Sequence, residues 1–256
     1  MKHLPTFFAA SLLLSAAPAS AQTTFRLGVR GGLNRALTTE DAAATYSQTQ
    51  GPAYATYSAS KSAIYAWQAG VVAAIGFGKI SLQPALLFSQ KGDKQRLISD
   101  LQSNNHYYSS YTDETVTSRS NWLELPLNVV YTRHGDHGWQ VLGGPYVALA
   151  LGGRQTGTIY NSSSGVRGPF TDPIDQKMLY GSQYNNRRFD AGLNAGLGYR
   201  QGPWQVQATY SLGLVNLHHP SDTNIIVEYP QFYRNFDTDA AYTRVAQFTG
   251  TYFFAL

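Results

Sequence analysis

Hydrophobicity in this chain alternates with a period of two over eight segments, near residues 24–34, 64–77, 80–91, 121–132, 139–151, 189–199, 204–215 and 240–256. That is the period of a β-strand, whose successive side chains point to opposite faces of a sheet. In the first segment one parity reads Phe25, Leu27, Val29, Leu33 and the other Arg26, Gly28, Arg30, Gly32, Asn34. The fourth sets Leu123, Leu125, Leu127, Val129 and Tyr131 against Glu124 and Asn128, and the seventh sets Trp204, Val206, Tyr210 and Leu212 against Gln205, Gln207, Thr209 and Ser211. One face suits hydrocarbon and the other a crowded polar interior. The third and fifth segments are less clean, because Leu87, Leu142 and Tyr146 fall on the polar parity.

The connections alternate as well. Residues 35–63, 92–120, 152–188 and 216–239 are long and polar, whereas 78–79, 133–138 and 200–203 are short and contain Gly. Long and short connections therefore sit at opposite ends of the strands. In hydrocarbon every backbone N–H and C=O must be paired, and a sheet does this only by closing on itself. The expected fold is all-β: an eight-stranded antiparallel up-and-down transmembrane β-barrel with long extracellular loops and short periplasmic turns. Composition agrees. Only 13% of residues are charged, about half the usual share. After the N-terminus the longest apolar run, Ala69 to Phe77, is far short of the ~20 residues of a spanning helix.

Residues 1–21 read as a signal peptide, with Lys2 and His3 before an apolar stretch and Ala19-Ser20-Ala21 as a small-x-small cleavage site. Residues 22–256 then form the barrel domain. The chain has no cysteine, so neither a disulfide framework nor a thiolate metal site is open to it. Phe25, Phe77, Tyr131, Trp139, Tyr199, Trp204 and Tyr252 lie near strand ends and are expected to form a periplasmic aromatic girdle. Pro84 and Pro145 remove ladder donors and are expected to mark bulges.

The stretches ISLQPALLFSQKG (Ile80 to Gly92), NWLELPLNVVY (Asn121 to Tyr131), VLGGPYVALAL (Val141 to Leu151) and FDAGLNAGLGYR (Phe189 to Arg200) resemble the PorT-type outer-membrane β-barrel proteins of Bacteroidota-like bacteria, and more loosely the OmpA transmembrane domain. The resemblance implies the barrel fold and a place in the outer membrane. It does not imply a single activity, although the family's named member is associated with gliding and type IX secretion. This chain departs from many relatives at Ala85, where they carry a glutamate.

With eight strands the lumen is only wide enough for side chains to fill, so a diffusion pore is not expected. The inward charges Arg26, Arg30, Glu124 and Asp190 lie at similar depth by residue count and are expected to pair across the barrel as an interior polar network. Arg244 alone among strand charges has lipid-facing parity and can snorkel to the interface. The pair His134 and His137 lacks a third ligand nearby, and neither a metal nor another cofactor is expected. Ser211, His218 and Asp222 could be drawn into a lipid-hydrolase triad, but nothing in their context marks a nucleophile elbow.

The loops are rich in Tyr, Ser, Asn and Gly, as in NNHYYSSYTDE (Asn104 to Glu114) and YGSQYNN (Tyr180 to Asn186). Tyr107, Tyr108, Tyr111, Tyr180 and Tyr184 are the candidate recognition residues. The reading is of a non-enzymatic structural or interaction barrel, monomeric, with outer-membrane lipid and lipopolysaccharide around it and a secretion or envelope protein as a candidate partner. A surface-recognition barrel for glycan or protein is the first alternative and a lipid-modifying enzyme the second. Basic residues are dispersed rather than striped, which argues against nucleic acid.

Overall fold

The computed structural model describes residues 23–39, 45–50, 53–103, 109–164, 168–181, 186–218 and 240–254. The expected signal peptide and Tyr107, Tyr108, Tyr184 and Asp222 lie outside them. The strands are β1 (Thr23–Thr39), β2 (Thr45–Gln50), β3 (Ala53–Phe77), β4 (Ile80–Ser103), β5 (Ser109–Thr132), β6 (His137–Ser163), β7 (Phe170–Met178), β8 (Phe189–Gln201), β9 (Trp204–Gly213) and β10 (Tyr242–Phe253). β1 pairs with β10 on one side and β3 on the other, so the antiparallel path β1, β10, β9, β8, β6, β5, β4, β3 returns to β1 and the sheet closes in a ring. Each alternating segment of the sequence falls on one strand of this ring.

The parity reading gives the faces correctly. Leu33, Tyr65, Trp139, Trp204 and Phe248 point outward and are 61–72% exposed, while Asn34, Gln68, Gln205, Gln207 and Thr249 are buried inside. Leu87, Leu142 and Tyr146 are buried in the interior, as their parity requires. Outward aromatics gather at the short-turn end, where Trp139 meets Tyr199 and Trp204 meets Tyr252 at ring-centre distances of 5.6 and 4.8 Å. The turns there are closed by Gly78, Gly135 and Gly202, whose φ values of 67°, 80° and 57° favour glycine.

Two expectations need correction. Much of what reads as long loop is paired strand: β3, β4, β5 and β6 are 24–27 residues long and run well past the ring, and β2 and β7 add to them on β3 and β6. Thr112 to Ser120 is polar at nearly every position, so the alternation vanishes there while Thr and Val still favour the extended backbone. Nor do the prolines mark bulges, since Pro84 pairs with Leu127 and Pro145 with Leu193 in uninterrupted register. The register shifts instead between Ala63 and Gln68 and beside Gly152. A lost ladder bond costs about 1 kcal/mol, whereas an inserted residue swaps the faces of everything beyond it.

The outer extension is laced by two bidentate ion pairs, Arg96 with Asp113 between β4 and β5 and Arg154 with Asp175 between β6 and β7.

Following the register around the ring measures its stagger. From Arg30 the row passes through Gly70, Leu87, Glu124 and Ala148 to Asp190 on β8. In the other direction it passes through Thr251 and Gln205 to Arg200, ten residues along the same strand. That offset is the shear of the barrel, and it tilts the strands at roughly 40° to the axis. Residues that share a row therefore stand at different heights, and Asp190 lies roughly 16 Å above Arg30 along the axis.

A Cβ on Gly70 would stand 2.0 Å from the Leu86 carbonyl oxygen, whereas one on the outward Gly250 meets nothing within 4 Å. Gly70→Val should therefore cut the refolded fraction sharply and Gly250→Val should leave it near the parent level, measured by intrinsic fluorescence after refolding. Hydrogen bonds from Arg96 and Arg154 hold the Asp113 and Asp175 carboxyls below the usual carboxylate range. Their contribution is complete above the ordinary carboxylate pKa and is lost as pH falls through the lowered folded values. Amide exchange in the outer extension should accelerate in that acidic window, modestly because the pairs are exposed, and salt should blunt the effect.

Candidate functional site

The inner face of β4 runs the length of the lumen. Successive inward residues are Ser81, Gln83, Ala85, Leu87, Ser89, Lys91 and Asp93, all buried. At the Gln83 level four glutamines link across the barrel: Gln83 and Gln140 both reach Gln205, and Gln207 reaches Gln140, at 3.1–3.5 Å. Arg30 sits on this layer and donates to Thr251 Oγ1 at 3.0 Å and to Gln83 Oε1 at 3.4 Å. Above it Val72, Ala85 and Leu87 make an apolar layer. Asn34 follows, donating to Ser89 Oγ and the Gln90 carbonyl. The layer after that carries charge. Lys91 Nζ meets Glu124 Oε2 at 2.7 Å and lies 4.9 Å from the Tyr146 ring centre, while Tyr146 donates its hydroxyl to Asp190 at 3.1 Å.

The expected pairing of Arg26 and Arg30 with Glu124 and Asp190 is thus not what the structure has. Arg30 is held by neutral groups, and Arg26 lies at the short-turn mouth. Glu124 takes Lys91 as its partner, and Asp190 takes Tyr146. The reason is the shear: a shared row is not a shared depth. The sequence places Lys91 on a strand and off the lipid-facing parity, but β4 mixes Ala85 and Leu87 into its polar parity, and the pairing of Lys91 with Glu124 was not among the expected ones.

Among the described residues a cavity opens toward each end of the lumen. The outer one, about 300 Å³, is bordered by Asp93, Trp122, Gln155, Tyr180 and Arg187. Tyr180 is buried there edge-on to Trp122, with ring centres 6.0 Å apart, so it serves the lumen wall rather than an outer recognition surface. Tyr111 does stand on the outer extension, edge-on to Tyr160. The His134 and His137 rings stack at 5.1 Å, and His137 hydrogen-bonds Asp136. Among the described residues there is no group of three or more metal-ligating side chains. Ser211 is fully buried and donates to Asn194 Oδ1 at 2.7 Å.

Lys91→Met leaves Glu124 buried without its cation and should cost about 3–5 kcal/mol. Adding Glu124→Gln should recover much of that, because neither charge then remains unpaired. Urea unfolding followed by tryptophan fluorescence measures both, and a double variant no more stable than Lys91→Met would refute the pairing.

A family model described as an outer membrane protein beta-barrel domain matches residues 20–219. No curated protein matches the chain. Among solved structures, the translocator domain of the autotransporter NalP from Neisseria meningitidis is similar over 90% of this chain and 88% of its own, at 11% identity and a TM-score of 0.24. The family match ends before β10, the strand that joins β9 to β1 and closes the ring. With the family model matching well over half of its length, the chain belongs to the outer membrane protein beta-barrel domain family, and its location is the outer membrane.

Proposed function

We propose that the chain is an eight-stranded transmembrane barrel, with its short turns in the periplasm and its extended strands outside, that acts as a monomeric, non-enzymatic structural or interaction protein. The observation that carries this reading is the length of β3, β4, β5 and β6. A tilted strand crosses the hydrocarbon in about 9–11 residues, and these have 24–27. The excess forms a hydrogen-bonded platform outside the apolar belt, cross-braced by Arg96–Asp113 and Arg154–Asp175. A hydrogen-bonded sheet is a costly way to build a linker and a suitable way to present a surface.

The layered lumen supports a role without conduction, and the buried, hydrogen-bonded Ser211 gives no footing for a nucleophile. Outer-membrane lipid covers the apolar belt, and lipopolysaccharide surrounds the base of the platform. The PorT-type resemblance favours a secretion or envelope protein as its partner. Recognition of a glycan or protein through the Tyr111–Tyr160 face is the second reading, supported by their edge-on packing on neighbouring strands.

A photo-cross-linking residue placed at Tyr111 in intact cells, followed by membrane fractionation, tests the platform. The expected result is a reproducible protein adduct in the outer-membrane fraction, lost when Arg154→Ala and Asp113→Ala loosen the sheet. Reconstitution into planar bilayers should show only baseline conductance. Steady ion-selective channels would overturn the filled-lumen reading, and an adduct pattern indifferent to the loosening variants would overturn the platform.

A further inference from the structure

The short-turn mouth of the lumen holds a second cavity, of about 330 Å³, lined by Arg26, Lys79, Arg200, Asp136, Ser81 and Thr132 among others. Its charge is unbalanced. Three permanent cations face one carboxylate, so with the histidines neutral the lining carries a net charge of +2. Asp136 is already engaged, through Oδ1, by His137 Nδ1 at 2.9 Å. The Arg26 guanidinium forms no side-chain hydrogen bond or salt bridge with a described residue, and its charge is felt by both Asp136 and Arg200.

Arg200 is the best-built part of the site. It is only 5% exposed, its Nε donates to the Gly202 carbonyl at 3.0 Å, and its guanidinium lies 4.8 Å from the Phe253 ring centre. Those contacts fix its plane, yet its Nη2 is buried with no partner among the described residues. A buried unpaired donor on a charged group is costly unless something accepts from it. The hydroxyls point the same way. Ser81 Oγ accepts from Gln83 and Thr132 Oγ1 accepts from Gln140, which leaves each O–H proton free to donate. Both side chains are more than nine-tenths buried and border the cavity.

We propose that this cavity binds a phosphate-type dianion, gripped by Arg26, Lys79 and Arg200, with Ser81 and Thr132 as neutral donors. A net charge of +2 matches a phosphate monoester or inorganic phosphate better than a single carboxylate. The donors come from β1, β4, β5, β8 and the β3–β4 turn, a spread that suits a tetrahedral group rather than the planar fork of a carboxylate. The phosphate can come from a soluble phosphomonoester or from a phosphomonoester lipid headgroup reaching around the rim.

The full chain, folded in neutral detergent, would be titrated with inorganic phosphate, reading 31P line width and thermal midpoint. Saturable binding tighter than about 1 mM is expected, which corresponds to about 4 kcal/mol. Lys79→Gln, in an exposed turn where folding is not at stake, and Arg26→Gln should each weaken it about tenfold with the unliganded midpoint unchanged. Absence of saturable broadening, or variants that bind as well as the parent, would overturn the proposal. A second arm places the protein in phosphatidylcholine nanodiscs with and without phosphatidic acid. Loss of free-phosphate binding in the presence of phosphatidic acid supports the site and assigns a lipid source, and retained binding supports it with a soluble source.

Discussion

Closure of the backbone hydrogen-bond ladder is the constraint on which everything else in this molecule depends. A strand in hydrocarbon has no water to satisfy its free edge, so the sheet must return to its own first strand. The contact that achieves this joins β10 to β1, the two ends of the folded chain, more than two hundred residues apart in sequence. Closing a twisted sheet also imposes tilt and stagger. The ten-residue offset between Asp190 and Arg200 is that stagger read directly from the pairing.

Stagger organises the lumen into layers by charge. The Arg30 and glutamine layer, the apolar layer, the Asn34 layer and the Lys91, Glu124 and Asp190 layer stack along the axis instead of merging into one network. The contacts within each layer are local, Gln83 with Gln205, Asn34 with Ser89 and Lys91 with Glu124, and low dielectric strengthens them. Among the described residues the short-turn mouth carries an excess of cations, and there an external anion can reach them.

Much of this was legible in the chain before its structure. Period-two parity put Leu33, Trp139 and Phe248 on one face and Asn34, Gln205 and Gln207 on the other, and the alternation of long with short connections, the strand lengths and the aromatic strand ends chose the apolar face as the outside. The candidate site was legible only in part. Glu124, Asp190, Lys91 and Tyr146 were all recognisable as lying off the lipid-facing parity, but which of them meet was not. Tyr180 carried the composition of a recognition loop, yet it packs on Trp122 in the outer cavity. The outer platform was invisible to periodicity, since a sheet with water on both faces has no reason to alternate.

Sequence by itself determined which residues share the apolar face, which share the polar face, and where the chain makes its tight turns, since these depend on local alternation and on glycine at left-handed positions. Tertiary structure alone decided who meets whom inside. Pairing across the lumen depends on the shear, a property of the whole ring that no single strand encodes. The same row of hydrogen bonds that contains Arg30, Glu124 and Asp190 carries them to different depths, so Lys91 rather than Arg30 neutralises the buried glutamate.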